Sequence, residues 1–296
     1  MTRKGKITRL PAVGLTVLLL ALIILFMACG AAIMWLMGGD MTMMGNEYWP
    51  TVGALVLNTA AFGMAGLISK PFITGSLAPH TPSRLNRSIV FSIVIMSFVS
   101  QPIIEWASYV NYSICQSEWL LPYVGEPDHS QDEILASVMK FDTATGWATT
   151  IAVIALLPAI CEETLFRWAM LPSLRRLFGG WHSAIIVTAV AFSAMHLDVY
   201  GFLPRLIMGG LLGVLFMLTR NIWAPILLHT LNNLMVVVVI GTSDKSVADS
   251  MLEAPEHPGL LLPVLCTGLL LYEILTIDCE TRIKKFYEEV TKNIHI

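Results

Sequence analysis

Charge is scarce in this chain. Only 13% of its 296 residues are Asp, Glu, Lys or Arg, 55% are apolar, and the mean hydropathy is +0.70. Soluble domains carry about 25% charged residues, so an ordinary soluble fold is excluded and lipid is the expected solvent for most of the chain. The net charge of −3, with no basic patch interleaved with aromatics, argues against nucleic acid as a partner. Cysteine is sparse as well. Cys29, Cys115, Cys161, Cys266 and Cys279 form no CxxC pair and no paired zinc spacing, which argues against a disulfide framework. Cys161, although next to Glu162, reads as a small thiol packed between helices rather than a nucleophile. There is no tandem repeat and no HExxH. The basic N-terminus precedes an apolar run that is too long for a signal peptide and has no convincing small-residue cleavage site, so it is expected to be a retained anchor.

What the chain does have is long apolar runs, at 10–37, 50–69, 88–112, 144–167, 183–197, 204–219, 222–241 and 259–277. A helical crossing takes about 20 residues. The expected fold is therefore all-α, a polytopic transmembrane bundle of about eight helices forming a single integral membrane domain over 1–296. The run at 183–197 is short for a crossing. Lys and Arg mark the cytoplasmic connections. Here they are Arg3, Lys4, Lys6 and Arg9, then Lys70, Arg84 and Arg87, then Arg175 and Arg176 after the fourth span, and Arg220 after the sixth. The alternate connections are acidic, with Asp40 and Glu47, then Glu118, Glu126, Asp128, Asp132 and Glu133, then Asp244, Asp249, Glu253 and Glu256. Both termini are thus expected in the cytoplasm, with the chain in the cell inner membrane. The longest break, 113–142, is expected to form an external loop with a short helix over 131–140, and the tail from Asp278 to form a cytoplasmic surface helix.

Three polar clusters interrupt this apolar background. Ionisable side chains cost about 2.5 to 3.5 kcal/mol or more at the bilayer centre, so each needs a reason. In the first, Glu163 and Arg167 are four apart on one helix face and can form an ion pair. Glu162 is left for another task. Adjacent helical positions differ by ~100°, so the two glutamates cannot serve one surface unless the helix is distorted. Pro158, which cannot donate to the Ile154 carbonyl, offers such a distortion. In the second cluster, FSAMH, the Phe192 ring can cover the His196 imidazole. The third, HTLNN, pairs His229 with Asn233. A hairpin turning at Gly179-Gly180 brings Glu162 and Glu163 level with His196, whereas His229, about 13 Å along its helix from Arg220, needs tilt or bending to join them. Gly209, Gly210 and Gly213 permit close helix approach. Glu105 is expected at the outer interface, apart from the site.

EETLFR, FSAMH and HTLNN, in this order, resemble the motifs of the CPBP (Abi) family of intramembrane proteases, which includes the type II CAAX prenyl endopeptidases. The resemblance covers 144–241, and Trp168 departs from the glycine that many members carry after the arginine. It implies an intramembrane endopeptidase with its active site inside the bundle. Glu162 would be the base that activates water, and His196 would hold and polarise that water. His229 and Asn233 would donate to the carbonyl oxygen, and Glu163 with Arg167 would form a supporting pair. Exchange of roles between the two glutamates stays open. So does the metal: Glu162, His196 and His229 could hold zinc, and a metal-free glutamate mechanism would use the same residues. The implied substrate is a peptide or membrane-anchored protein, of CAAX type or another precursor, with membrane lipid around the protein. The C-terminus KNIHI is not itself a CAAX box. Oligomeric state is not legible. The alternative is a non-catalytic membrane protein, an immunity scaffold or a bundle that binds protons or cations.

Overall fold

A computed structural model describes residues 48–74, 85–243 and 256–294, with scattered positions between 11 and 28. The N-terminal basic residues, most of the expected first span at 10–37, Asp40, Glu47, Arg84, Asp244, Asp249 and Glu253 lie outside the described residues. Nine helices are described: α1 (Tyr48–Thr74), α2 (Arg87–Cys115), the short α3 (Leu121–Val124) and α4 (Ser130–Val138), α5 (Ala144–Phe178), α6 (Trp181–Ala194), α7 (Phe202–Thr219), α8 (Trp223–Gly241) and α9 (Leu261–Ile294). Six of them, α1, α2, α5, α7, α8 and α9, are long and apolar enough to cross a membrane. The protein is an integral multi-pass membrane protein built as a polytopic helical bundle. Helices satisfy every backbone group within the segment, which lipid demands.

Two boundaries differ from expectation. The fourth span does not end near 167 but continues to Phe178, so Arg175 and Arg176 lie in its last turn. Basic side chains there complement the helix dipole, and the stop comes from Gly179, whose left-handed φ of 72° suits a glycine cap. The tail is also no separate surface helix. No Gly or Pro separates Ile277 from Asp278, and α9 runs on to Ile294.

At one end of the bundle basic residues gather from several connections. Arg175 and Arg220 both lie over the Trp181 ring, at 4.3 and 3.9 Å, and Arg176 donates to the Ile73 carbonyl. The acidic connection carrying Glu126 lies with the turn after α6, where Gln116 donates to Glu126 and the Tyr200 hydroxyl donates to the Gly125 carbonyl.

Glycine sets how closely the central helix α5 is gripped. A Cβ on Gly66 would sit 2.6 Å from the Thr164 carbonyl oxygen and 2.9 Å from the Leu165 nitrogen, so α1 meets α5 backbone to backbone. Gly63 faces Cys161, the buried thiol packed between helices. On α7, Gly209 and Gly213 lie against α6, near Ala189 and Ile185, whereas a Cβ on Gly210 would meet nothing.

Candidate active site

Helix α5 carries the first cluster and is not a regular α-helix. Ile151–Leu156 and Thr164–Met170 are π-helical, flanking the α-helical turn Leu157–Glu163 that opens with Pro158. Wider π turns rotate the chain relative to an α-helix and often mark functional positions. Here they flank two adjacent glutamates that both lie against one imidazole. His229 Nδ1 donates to Glu163 Oε1 at 2.9 Å, and His229 Nε2 is 4.0 Å from Glu162 Oε2.

The two carboxylates have different surroundings. Glu163 and Arg167 are both fully buried, with Arg167 Nη1 donating to Glu163 Oε1 at 2.8 Å. The other end of the guanidinium donates to the Gly209 carbonyl on α7 at 3.0 Å, and its carbon lies 4.6 Å from the Phe192 ring centre. Glu162 instead faces a cavity of about 410 Å³, which His196, His229, Asn233 and Phe192 also line, and its buried Oε2 has no hydrogen-bond partner. Glu163 and Arg167 are not among the cavity-lining residues.

His196 arrives by a route the sequence reading placed differently. The expected span 183–197 ends as a helix at Ala194, because the chain turns there and Leu197 takes a left-handed φ of 54°. Nδ1 of His196 donates to the Phe192 carbonyl at 2.9 Å. A carbonyl only accepts, so in the neutral ring Nε2 keeps its lone pair. Phe192 packs edge-on against both imidazoles, with ring centres 5.2 Å from His196 and 5.8 Å from His229. The depth gap for His229 is closed in the structure. Arg220 lies over the Trp181 ring, just after the Gly179-Gly180 turn, and His229 reaches Glu163 at 2.9 Å. Asn233 Nδ2 donates at 3.4 Å to the Ile154 carbonyl, the group that Pro158 cannot serve.

Five polar residues near the site were not singled out from the sequence. Arg205 lines the cavity and pairs with Asp198 at 2.7 Å. Asn232, also at the cavity, accepts from Gln101 of α2. Asn111 of α2 donates to the carbonyls of Val199 and Tyr200 and accepts from the Leu203 N–H. Each was detectable by the criterion that flagged Arg167, a polar group inside an apolar stretch. Glu105 lies exposed on α2, apart from the cavity.

The donor chemistry of Glu162, His196 and His229 suits zinc, since each imidazole has its Nδ1 anchored by an acceptor. Their placement does not: among the described residues no group of three His, Cys, Asp or Glu side chains is arranged to hold a metal ion.

Residues 144–235 match the family model "Type II CAAX prenyl endopeptidase Rce1-like". No curated protein and no solved structure matches the chain. The matched segment opens with α5 and ends two residues after Asn233, so it holds all three polar clusters together with the π-distorted helix and the turn that bring them to one cavity. Over those residues the chain is similar to the Rce1-like family of type II CAAX prenyl endopeptidases, a family of membrane proteases.

Proposed function

We propose that the protein is an intramembrane endopeptidase in which Glu162 activates water against a peptide bond. The observation that carries this is the convergence of Glu162, His196, His229 and Asn233 on one cavity, with a buried glutamate oxygen left without a partner. Such an oxygen is available to take a proton, and an apolar setting favours a carboxyl that can both accept and return one. His196, with Nδ1 tied to the Phe192 carbonyl, presents its Nε2 lone pair to a water hydrogen.

As Glu162 takes the other proton, the water oxygen bonds to the carbonyl carbon and negative charge moves to the carbonyl oxygen. Asn233 Nδ2 has a second hydrogen beyond the one given to Ile154, and it is the first candidate donor to that oxygen. His229 can donate through Nε2 only as the imidazolium, because its Nδ1 hydrogen is committed to Glu163. Glu162 then returns the proton to the amide nitrogen and the C–N bond breaks. Glu163 and Arg167 hold the imidazole and tie α5 to α7 at Gly209. No step requires a metal.

The substrate class is a membrane-associated protein or peptide, CAAX-type precursors being the family's namesake. The alternation of basic and acidic connections along the sequence supports an inner-membrane location with both termini in the cytoplasm. The test compares protein termini in membranes from cells carrying the native chain or Glu162→Gln at matched levels. Cleaved termini that vanish in the variant while intact precursors accumulate are the expected result. Unchanged termini would remove Glu162 as the base.

A further inference from the structure

We propose that Gln101, on α2 and outside the segment matched to the family, is a positioning residue that sets which way the Asn233 amide faces. This rests on the role given to Asn233 above. The side-chain amides of Gln101, Asn232 and Asn233 form a directed chain. Gln101 Nε2 donates to the Ser97 carbonyl at 3.0 Å and to Asn232 Oδ1 at 2.9 Å. Asn232 Nδ2 donates to Asn233 Oδ1 at 3.5 Å, and Asn233 Nδ2 donates to the Ile154 carbonyl at 3.4 Å.

Both ends of this chain are backbone carbonyls, which only accept. Ser97 forces Gln101 to turn its NH₂ towards Asn232, so Asn232 must offer its oxygen to Gln101 and its NH₂ to Asn233. Asn233 therefore offers its oxygen to Asn232, and its NH₂ is left for Ile154 and the cavity. The two short bonds lie at Gln101 and the two long ones at the site. The orientation is thus imposed from α2 and is only weakly held at Asn233 itself. If Asn233 were reversed, its oxygen would face both the Ile154 carbonyl and a developing oxyanion.

The decisive variant is Gln101→Glu. An ionised carboxylate at this position only accepts, which turns the NH₂ of Asn232 towards α2 and reverses the polarity down the chain. Gln101→Met, of similar length and without a donor, is the second variant should the first fail to fold. With asparagine-labelled ¹⁵N protein in detergent, the side-chain NH₂ resonances of Asn232 and Asn233, assigned by their loss in the Ala variants, are compared between the native chain and each variant.

Both pairs are expected to shift, and an unmoved Asn233 pair would overturn the proposal whether or not the protein cleaves anything. Cleavage of a peptide substrate gives the separate readout. Gln101→Glu is expected to lower kcat at least tenfold with KM unchanged, and to have no further effect in an Asn233→Ala background. Equal losses in both backgrounds would assign Gln101 to packing alone and overturn the positioning role. Shifted amides in a chain that cleaves no peptide would keep the orientation chain and remove the protease reading.

Discussion

Glu162 and Glu163 are the same residue type at adjacent positions, yet their surroundings ask different things of them. Each has an Oε2 without a hydrogen-bond partner, but Glu163 is fully buried and shares its other oxygen between Arg167 and His229, while Glu162 faces the cavity. Breaking a buried ion pair by removing one charge typically costs about 3 to 5 kcal/mol, because the other charge is left uncompensated. Glu163→Gln is therefore expected to lower thermal stability in detergent by an amount towards the lower end of that range, since the amide oxygen can still accept from Arg167. Glu162→Gln should leave the melting temperature close to native while cleavage is lost. Equal melting temperatures for the two variants would undo the division of labour. In the sequence, spacing alone revealed the Glu163–Arg167 pair, but not which glutamate meets the cavity. That depends on the π turns, which leave no periodic mark in an apolar helix.

Helix α6 has 14 residues, about 21 Å, against a hydrocarbon core of about 30 Å. The turn that carries His196 thus ends a helix too short to cross, and irregular backbone there is held by polar groups that find partners inside the protein. Asn111 supplies three of them, at 2.9, 2.6 and 3.0 Å, and the Ser193 hydroxyl donates to the Phe202 carbonyl. Asn111→Ala would remove the partner of the Tyr200 carbonyl and of the Leu203 N–H, while the Val199 carbonyl keeps the Phe202 N–H, at a cost of about 1 to 3 kcal/mol for each group left bare. The expected result is loss of amide-exchange protection over 195–203 and reduced cleavage, with α1 and α5 still protected. Unchanged exchange in that turn would show that Asn111 does not hold it. The apolar runs gave six of the eight expected spans among the described residues, and Gly179-Gly180 gave the α5–α6 hairpin, because local chemistry decides both. The contact from Asn111 to the turn bridges about 90 positions of chain and has no local signature beyond an amide in an apolar helix.

Across the whole molecule, Glu162 lies near the middle of α5, about 24 Å from Phe178 and about 27 Å from Ala144 along a 35-residue helix. Such a helix is longer than the hydrocarbon core and must tilt or protrude. The basic cluster at the Phe178 end, with Arg175 and Arg220 on Trp181, is suited to the cytoplasmic interface, where arginine and tryptophan both anchor. The opposite end presents Glu126 and the Tyr200 hydroxyl. Single cysteines placed at Arg176 and at Glu126, both exposed, in an otherwise cysteine-free chain turn this asymmetry into a measurement. A membrane-impermeant maleimide added to intact cells is expected to label Glu126→Cys and to reach Arg176→Cys only after permeabilisation. The reverse pattern would invert the bundle. The Gly179-Gly180 turn and the basic anchors would then face outwards.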